Sequence, residues 1–146
     1  MHRLVPGEHA LFVGMLDVFG ASFRDAQTYG AQRPGAAYVE RLLGNPAFLG
    51  LVAIEGSKVV GALAAYELPK FERERSEFYI YDLAVCEGHR RRGIATALIE
   101  EVRAVARERS AWVVFVQADF GDEPAIALYS RLGRREDVLH FDIPVA

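Results

Sequence analysis

From Glu8 onward, Leu11, Phe12, Met15, Val18 and Phe19 recur at the three-and-four spacing of a helix, and Gly20 is expected to break it. His2–Pro6, ahead of that helix, reads as a short first strand. Asp25–Gly35 mixes Gln, Thr, Tyr, Gly and Pro without a period, as a loop does. Ala36–Leu43 then reads as a second short helix, closed by Gly44-Asn45-Pro46. Two extended runs follow, Phe48–Ile54 and Lys58–Glu67, and Glu55-Gly56-Ser57 between them predicts a hairpin. Leu68–Ser76 is charged and contains proline, the pattern of a surface loop. Glu77–Val85 (EFYIYDLAV) is β-rich and nearly apolar on both faces, which predicts a central strand. In Gly93–Arg109, Ile94, Leu98, Val102 and Val105 form one helical face, opposite Glu100, Glu101, Arg103, Arg107 and Glu108. Ala111–Ala118 is another buried strand, Asp122–Leu132 a helix with Pro124 in its first turn and Gly133 at its stop. Asp137–Ile143 alternates as a last strand. The order specifies one α/β domain over residues 1–146, on a mixed sheet with a strand–arginine loop–helix–strand unit at its centre.

Composition narrows the function. The chain has 146 residues, 51% of them hydrophobic, enough for one well-filled core and too little for two. Seventeen Lys and Arg against 20 Asp and Glu leave a formal charge of -3, which argues against a nucleic-acid partner. A single cysteine, Cys86, excludes a disulfide framework and a Cys-based metal site. His89 and His140 have no ligand spacing around them, so no metal is expected. His2, Arg3, Pro6, Glu8 and His9 interrupt any leader-like run, and no apolar stretch reaches membrane-spanning length. A cytoplasmic protein without a membrane partner is the expectation.

One segment breaks a local rule. In Gly88–Leu98 (GHRRRGIATAL) three arginines crowd the first turn of a helix, the end where the backbone dipole disfavours cations. An anion resolves the conflict, because free N–H groups of the first turn and guanidiniums converge on it. Gly93 allows close backbone approach there. No Gly-Lys-Ser/Thr follows, so this is not a Walker loop, and the three glycines of a dinucleotide fingerprint are missing.

The segment Arg90-Arg91-Arg92-Gly93-Ile94-Ala95 resembles the Arg/Gln-x-x-Gly-x-Gly/Ala signature of the GNAT N-acetyltransferase superfamily. Leu83-Ala84-Val85 before it, and Ala125–Gly133 (AIALYSRLG) after it, are similar to that superfamily's neighbouring elements. Within it, ALAAYELPKFERERSEFYIYDLAV, HRRRGIATALI, VQADFGDEPAIALYS and LHFDI resemble the small type I aminoglycoside 3-N-acetyltransferases. The resemblance implies a single GNAT-like domain: a mixed, mostly antiparallel sheet, splayed at the cofactor site and flanked by helices. It implies acetyl-CoA as co-substrate, its pyrophosphate over Arg90, Arg91, Arg92, Gly93, Ile94, Ala95 and Thr96, its pantetheine arm along Leu83, Ala84 and Val85. It further implies Tyr129, beside the cofactor, as the acid that protonates the leaving thiolate, and a homodimer. Asp122, where many relatives have Asn, and Arg134, where Phe is usual, depart from the pattern.

Acetyl transfer to an amine needs a neutral nucleophile, a stabilised oxyanion and a proton for the thiolate. The backbone N–H of Leu83 is the candidate for the oxyanion. Asp82 is a carboxylate inside an apolar strand, a placement that demands either a charged partner such as one of the arginines or a catalytic role as base. Glu77 and Tyr79, upstream on the same strand, are its competitors. A polycationic acceptor requires an acidic wall. Asp119, Asp122 and Glu123 cluster beyond the end of a central strand, and with Glu77, Tyr79, Asp82 and Asp142 they are the expected acceptor-binding set. Alternatives are a polyamine or protein amine as acceptor, and a non-catalytic anion-binding module.

Overall fold

The hairpin is the spine of the molecule. In this computed structural model, which describes residues 1–146, β2 (Phe48–Glu55) and β3 (Lys58–Pro69) pair antiparallel from Phe48 opposite Tyr66 to Glu55 opposite Lys58. β1 is only His2–Arg3 and adds to the outer edge of β2. β4 (Ser76–Val85) pairs antiparallel with β3 along its whole length, and β5 (Val114–Val116) pairs parallel with β4 through three residues. The result is a five-stranded mixed sheet in the order β1-β2-β3-β4-β5, open at β5.

Helices cover both faces, and alternation along the strands sorts the core between them. α1 (His9–Phe23) and α2 (Ala36–Leu43) lie on one face, where Phe12, Met15, Val18, Phe19 and Val39 pack on Val52, Ala62 and Ala84. α3 (Ile94–Glu108) covers the other, with Leu98, Val102 and Val105 fully buried against Leu51, Leu63, Phe78 and Ile80. Burial of each such side chain contributes about 1.5–3 kcal/mol. α4 (Glu123–Leu132) joins this second face at the β5 side and contributes no fully buried residue.

Three sequence expectations are corrected. α1 does not stop at Gly20 but runs to Phe23, ending at Arg24 in the left-handed region (φ 52°). A Cβ on Gly20 would lie 3.3 Å from Cβ of Tyr29, so this glycine makes room for the turn that follows instead of breaking the helix. β5 is shorter than Ala111–Ala118, because only Val114–Val116 in its middle pair with β4 before the two strands part. The expected last strand, Asp137–Ile143, is not in the sheet: those residues form no strand, although alternation gives them a face to bury, and the outer edge of β5 stays unpaired.

Candidate active site

Backbone hydrogen bonding along β4 locates an extra residue. Phe78 N–H donates to Val113, toward β5, whereas Cys86 N–H donates to Val60, toward β3. Successive N–H groups alternate in direction, so two even-numbered residues can point oppositely only if the phase slips between them. The register confirms the position: Ala65 faces Ile80, Ala64 faces Asp82, and Tyr81 is the bulged residue. Downstream of it, Leu83 and Val85 direct their backbone groups to the β5 side, where β5 has already diverged after Val116. Ala84 directs its own toward β3 and buries its methyl under α1, so it presents no polar group to the opening. Val85 C=O accepts Nε of Arg90 at 3.1 Å.

The opening between the two strands is a cleft of about 520 Å³. Asp25, Asp82, Asp119 and Asp122 line it together with Tyr29, Tyr79, Tyr81 and Tyr129, and no Lys or Arg does. Asp82 is half-buried and accepts a hydrogen bond from the Tyr29 hydroxyl at 2.8 Å. Burial holds its carboxyl above the usual carboxylate range, and the Tyr29 bond pulls it partly back. The Tyr29 hydroxyl in turn is pushed far above the usual tyrosine value, by burial first and by the Asp82 bond second. Asp82 therefore has a partner, but a neutral one and not an arginine.

Tyr29 and Asp25 are the residues that the sequence reading misses. They fall in a stretch with no hydrophobic period, coiled as one π-helical turn at Gln27–Ala31. Packing fixes it: Tyr29 sits against Phe19 and Phe23, ring centroids 5.8 and 5.7 Å away.

Tyr129 reaches the cleft from α4. Its hydroxyl is pushed up to about 12, chiefly by burial and then by the nearby Asp122 carboxylate. It keeps its proton throughout the neutral range. Tyr79 lines the same wall, stacked on Phe115 at 4.7 Å and donating to Gln117 at 2.8 Å. Asp122 caps α4, accepting from Ala125 N–H at 3.3 Å, and faces the cleft as well.

Three expected acceptor residues are not in this wall. Glu77 lies at the far end of β4, paired with Lys70 at 3.4 Å, before the strands part. Glu123 is exposed on the outer side of the first turn of α4. Asp142 belongs to the unpaired C-terminal segment, where it meets His140 at 2.8 Å. A strand residue at the closed end, and a helix residue one step past a cap, cannot point into an opening at the other end of the sheet.

The arginine turn follows β4 and lies outside the residues that line this cleft. Arg91 and Gly93 both have positive φ, 63° and 78°. The first bond of the α3 ladder is Ala97 N–H to Gly93 C=O, so the N–H groups of Ile94, Ala95 and Thr96 lie outside it. Glu55 holds the turn from the hairpin, 3.0 Å from His89 and 3.5 Å from Arg92. Arg91 and Arg92 remain exposed beside a helix N-terminus, which suits phosphate oxygens. No three His, Cys, Asp or Glu side chains gather as a metal site, and no helix is long and apolar enough to cross a membrane.

A bulged strand parting from its parallel neighbour, with an arginine–glycine turn leading into a helix, defines an acetyltransferase scaffold. The chain belongs to the acetyltransferase (GNAT) family, whose pattern it matches over residues 15–133. It is 58% identical to an aminoglycoside acetyltransferase from an uncultured soil metagenomic sample, covering 99% of this chain and 97% of that one, with a TM-score of 0.97. A second soil metagenomic aminoglycoside acetyltransferase, solved in complex with sisomicin, is 30% identical over 99% of this chain and 95% of that one (TM-score 0.92). Among curated proteins, rat N-acetyltransferase 8B is 30% identical over 90 residues, 62% of this chain and 40% of that protein. The chain thus spans less than half the length of the curated relatives it matches.

Proposed function

We propose that this chain acetylates the 3-amino group of the deoxystreptamine ring of aminoglycosides, with acetyl-CoA as donor. The observation that carries the reading is the cleft wall: four carboxylates, four tyrosines and no cation around an opening of about 520 Å³. Such a wall attracts a polyamine-like sugar, and hydroxylated rings offer many groups for tyrosine hydroxyls to bond. The likeness to aminoglycoside acetyltransferases along the whole chain supports the same acceptor class.

Acetyl-CoA supplies the acetyl group as a thioester. Arg90, Arg91, Arg92 and the N–H groups at Ile94–Thr96 would hold its phosphates, and the outward backbone of Leu83 and Val85 its pantetheine amides. Asp82, raised toward the range where a base works best, takes a proton from the acceptor's ammonium, directly or through one water, and so frees the neutral amine that attacks. Leu83 N–H faces the carbonyl oxygen as it gains charge. Tyr129 donates its proton toward the departing sulfur. A free thiol titrates near 8.5, so full transfer from a hydroxyl near 12 is uphill unless charge in the site favours the tyrosinate; a strong hydrogen bond to sulfur serves the same end.

A thiol-release assay with gentamicin, spermidine and a lysine peptide side by side tests the acceptor class, and NMR of the acetylated drug tests the position. Turnover of spermidine or peptide in preference to gentamicin would overturn the acceptor reading.

A further inference from the structure

Four aromatic rings cross the sheet in one row. Phe48 stands opposite Tyr66, Tyr66 opposite Tyr79, and Tyr79 opposite Phe115, one from each of β2, β3, β4 and β5. Residues directly opposite share a face, and Phe48 places the row on the α1 and α2 side. Ala62 and Ala64, next in line on that face of β3, are small and pack against α1. Beyond them the face opens: Tyr66 is 37% and Tyr81 62% exposed.

The bulge at Tyr81 brings this row to the proposed base. Tyr79 and Tyr81 are two residues apart and share the row's face. An unbulged strand would turn Asp82 to the α3 side. The extra residue cancels that turn, so Asp82, paired with Ala64, stands on the same face as Tyr81. Tyr81 meets Tyr66 edge to face at 6.1 Å and Tyr79 at 5.7 Å, and Tyr66 in turn packs on Phe48 at 5.5 Å. Such packing fixes the rings and leaves π faces open to solvent. Burial holds the Tyr66 and Tyr79 hydroxyls above the usual tyrosine value, so both keep their protons in the neutral range.

An uncharged ring beside a carboxylate wall takes a cation on its face. Elsewhere the chain supplies its own: guanidiniums lie over Tyr38, Trp112 and Phe78, at 5.9, 4.2 and 5.7 Å from the ring centroids. None lies over Tyr66, Tyr79 or Tyr81. We propose that Tyr66 and Tyr81 form a second ammonium subsite, which holds an amino group on a ring of the acceptor adjoining the acetylated one. The subsite rests on the aminoglycoside reading above and adds to it a specificity-determining residue, Tyr66, outside the carboxylate cleft. Tyr66 stands one strand over and two residues along from Asp82, about 8 Å by strand spacing and rise. That separation suits an ammonium on a neighbouring ring rather than a second amine on the same ring. Acceptors with charge on two rings are thereby favoured over those with charge on one.

Steady-state kinetics with gentamicin, whose flanking rings carry amines, separate the face of Tyr66 from its hydroxyl. Tyr66→Leu should raise the gentamicin KM by about fivefold, through KM and not kcat, whereas Tyr66→Phe, which retains the face, should stay within about twofold of the unaltered enzyme. The inhibition constant of 2-deoxystreptamine, a single ring, should be the same in all three. Nuclear Overhauser contacts in the unaltered chain should join the Tyr66 and Tyr81 rings to protons of a flanking sugar, and they decide should Tyr66→Leu fail to fold. An unchanged gentamicin KM in folded Tyr66→Leu, an equal loss in Tyr66→Phe, an equal loss for deoxystreptamine, or no ring contact to a flanking sugar would overturn the subsite alone. A wild-type enzyme that leaves gentamicin unacetylated would overturn the acceptor reading, and the subsite with it.

Discussion

Tyr29 and Asp82 stand 53 residues apart in sequence, and their side chains meet at 2.8 Å across the mouth of the cleft. The contact joins two otherwise separate parts of the molecule: the turn after α1 and the segment of β4 just past its bulge. It also sets the protonation of the proposed base. Burial raises the Asp82 carboxyl, and the tyrosine hydroxyl, bonding to the ionised form, lowers it again.

Tyr29→Phe removes that bond and leaves the ring packed on Phe19 and Phe23. The carboxyl should then rise further. The acidic limb of the pH–rate profile for kcat/KM should move to higher pH, with little loss at the alkaline plateau. A limb that stays in place, or moves to lower pH, would separate Asp82 from the base role.

Asp82→Asn should cut turnover at neutral pH and recover part of it as rising pH supplies neutral amine. The same substitution should stabilise the fold. A carboxyl raised on folding favours the folded state only while protonated, so its ionised form lowers stability above the raised value; that loss shrinks as pH falls from the raised value to the ordinary carboxylate value and is gone below it. Thermal unfolding should show a higher Tm for Asp82→Asn near neutrality and no difference in acid.

Tyr129→Phe deletes one hydroxyl from a half-buried ring, so both substrates should still bind. Turnover should fall by roughly 10²–10⁴, the scale of one positioned acid, and raising the pH should not restore it. Steady-state kinetics beside those of Asp82→Asn distinguish the two ends of the reaction.

Gly93 adopts φ 78°, and a Cβ there would meet nothing within 4 Å in the chain. Gly93→Val should therefore cost only about 1–2 kcal/mol of stability, from the left-handed backbone. Calorimetric affinity for coenzyme A should fall at least tenfold, because the added side chain occupies the proposed phosphate approach. Unchanged affinity in the folded variant would displace the phosphates from this turn.

Asp119→Asn takes one of four charges from the cleft wall. Aminoglycoside KM should rise by roughly threefold to tenfold while the KM for acetyl-CoA hardly changes, and the wild-type acceptor KM should climb with salt. Equal losses for both substrates would indicate a structural role instead.

Local pattern alone determined most elements. Helix faces at α3, the Gly56 hairpin and the Asp122–Pro124 start of α4 depend on neighbours within a few residues, so periodicity and caps expose them. The arginine turn was legible for the same reason, since three cations against a helix dipole conflict within a single turn. Tertiary structure alone decided the rest. Tyr29 and Asp25 enter the cleft because an aperiodic turn packs on α1, and Gly20 reads as a breaker until Tyr29 is seen to need the space. The bulge at Tyr81 is a relation between two strands, written in neither. Asp137–Ile143 has the alternation of a strand, yet alternation specifies a face to be buried and not the edge that buries it. Whether an edge receives it is decided by the rest of the fold, and in this chain the segment stays outside the sheet.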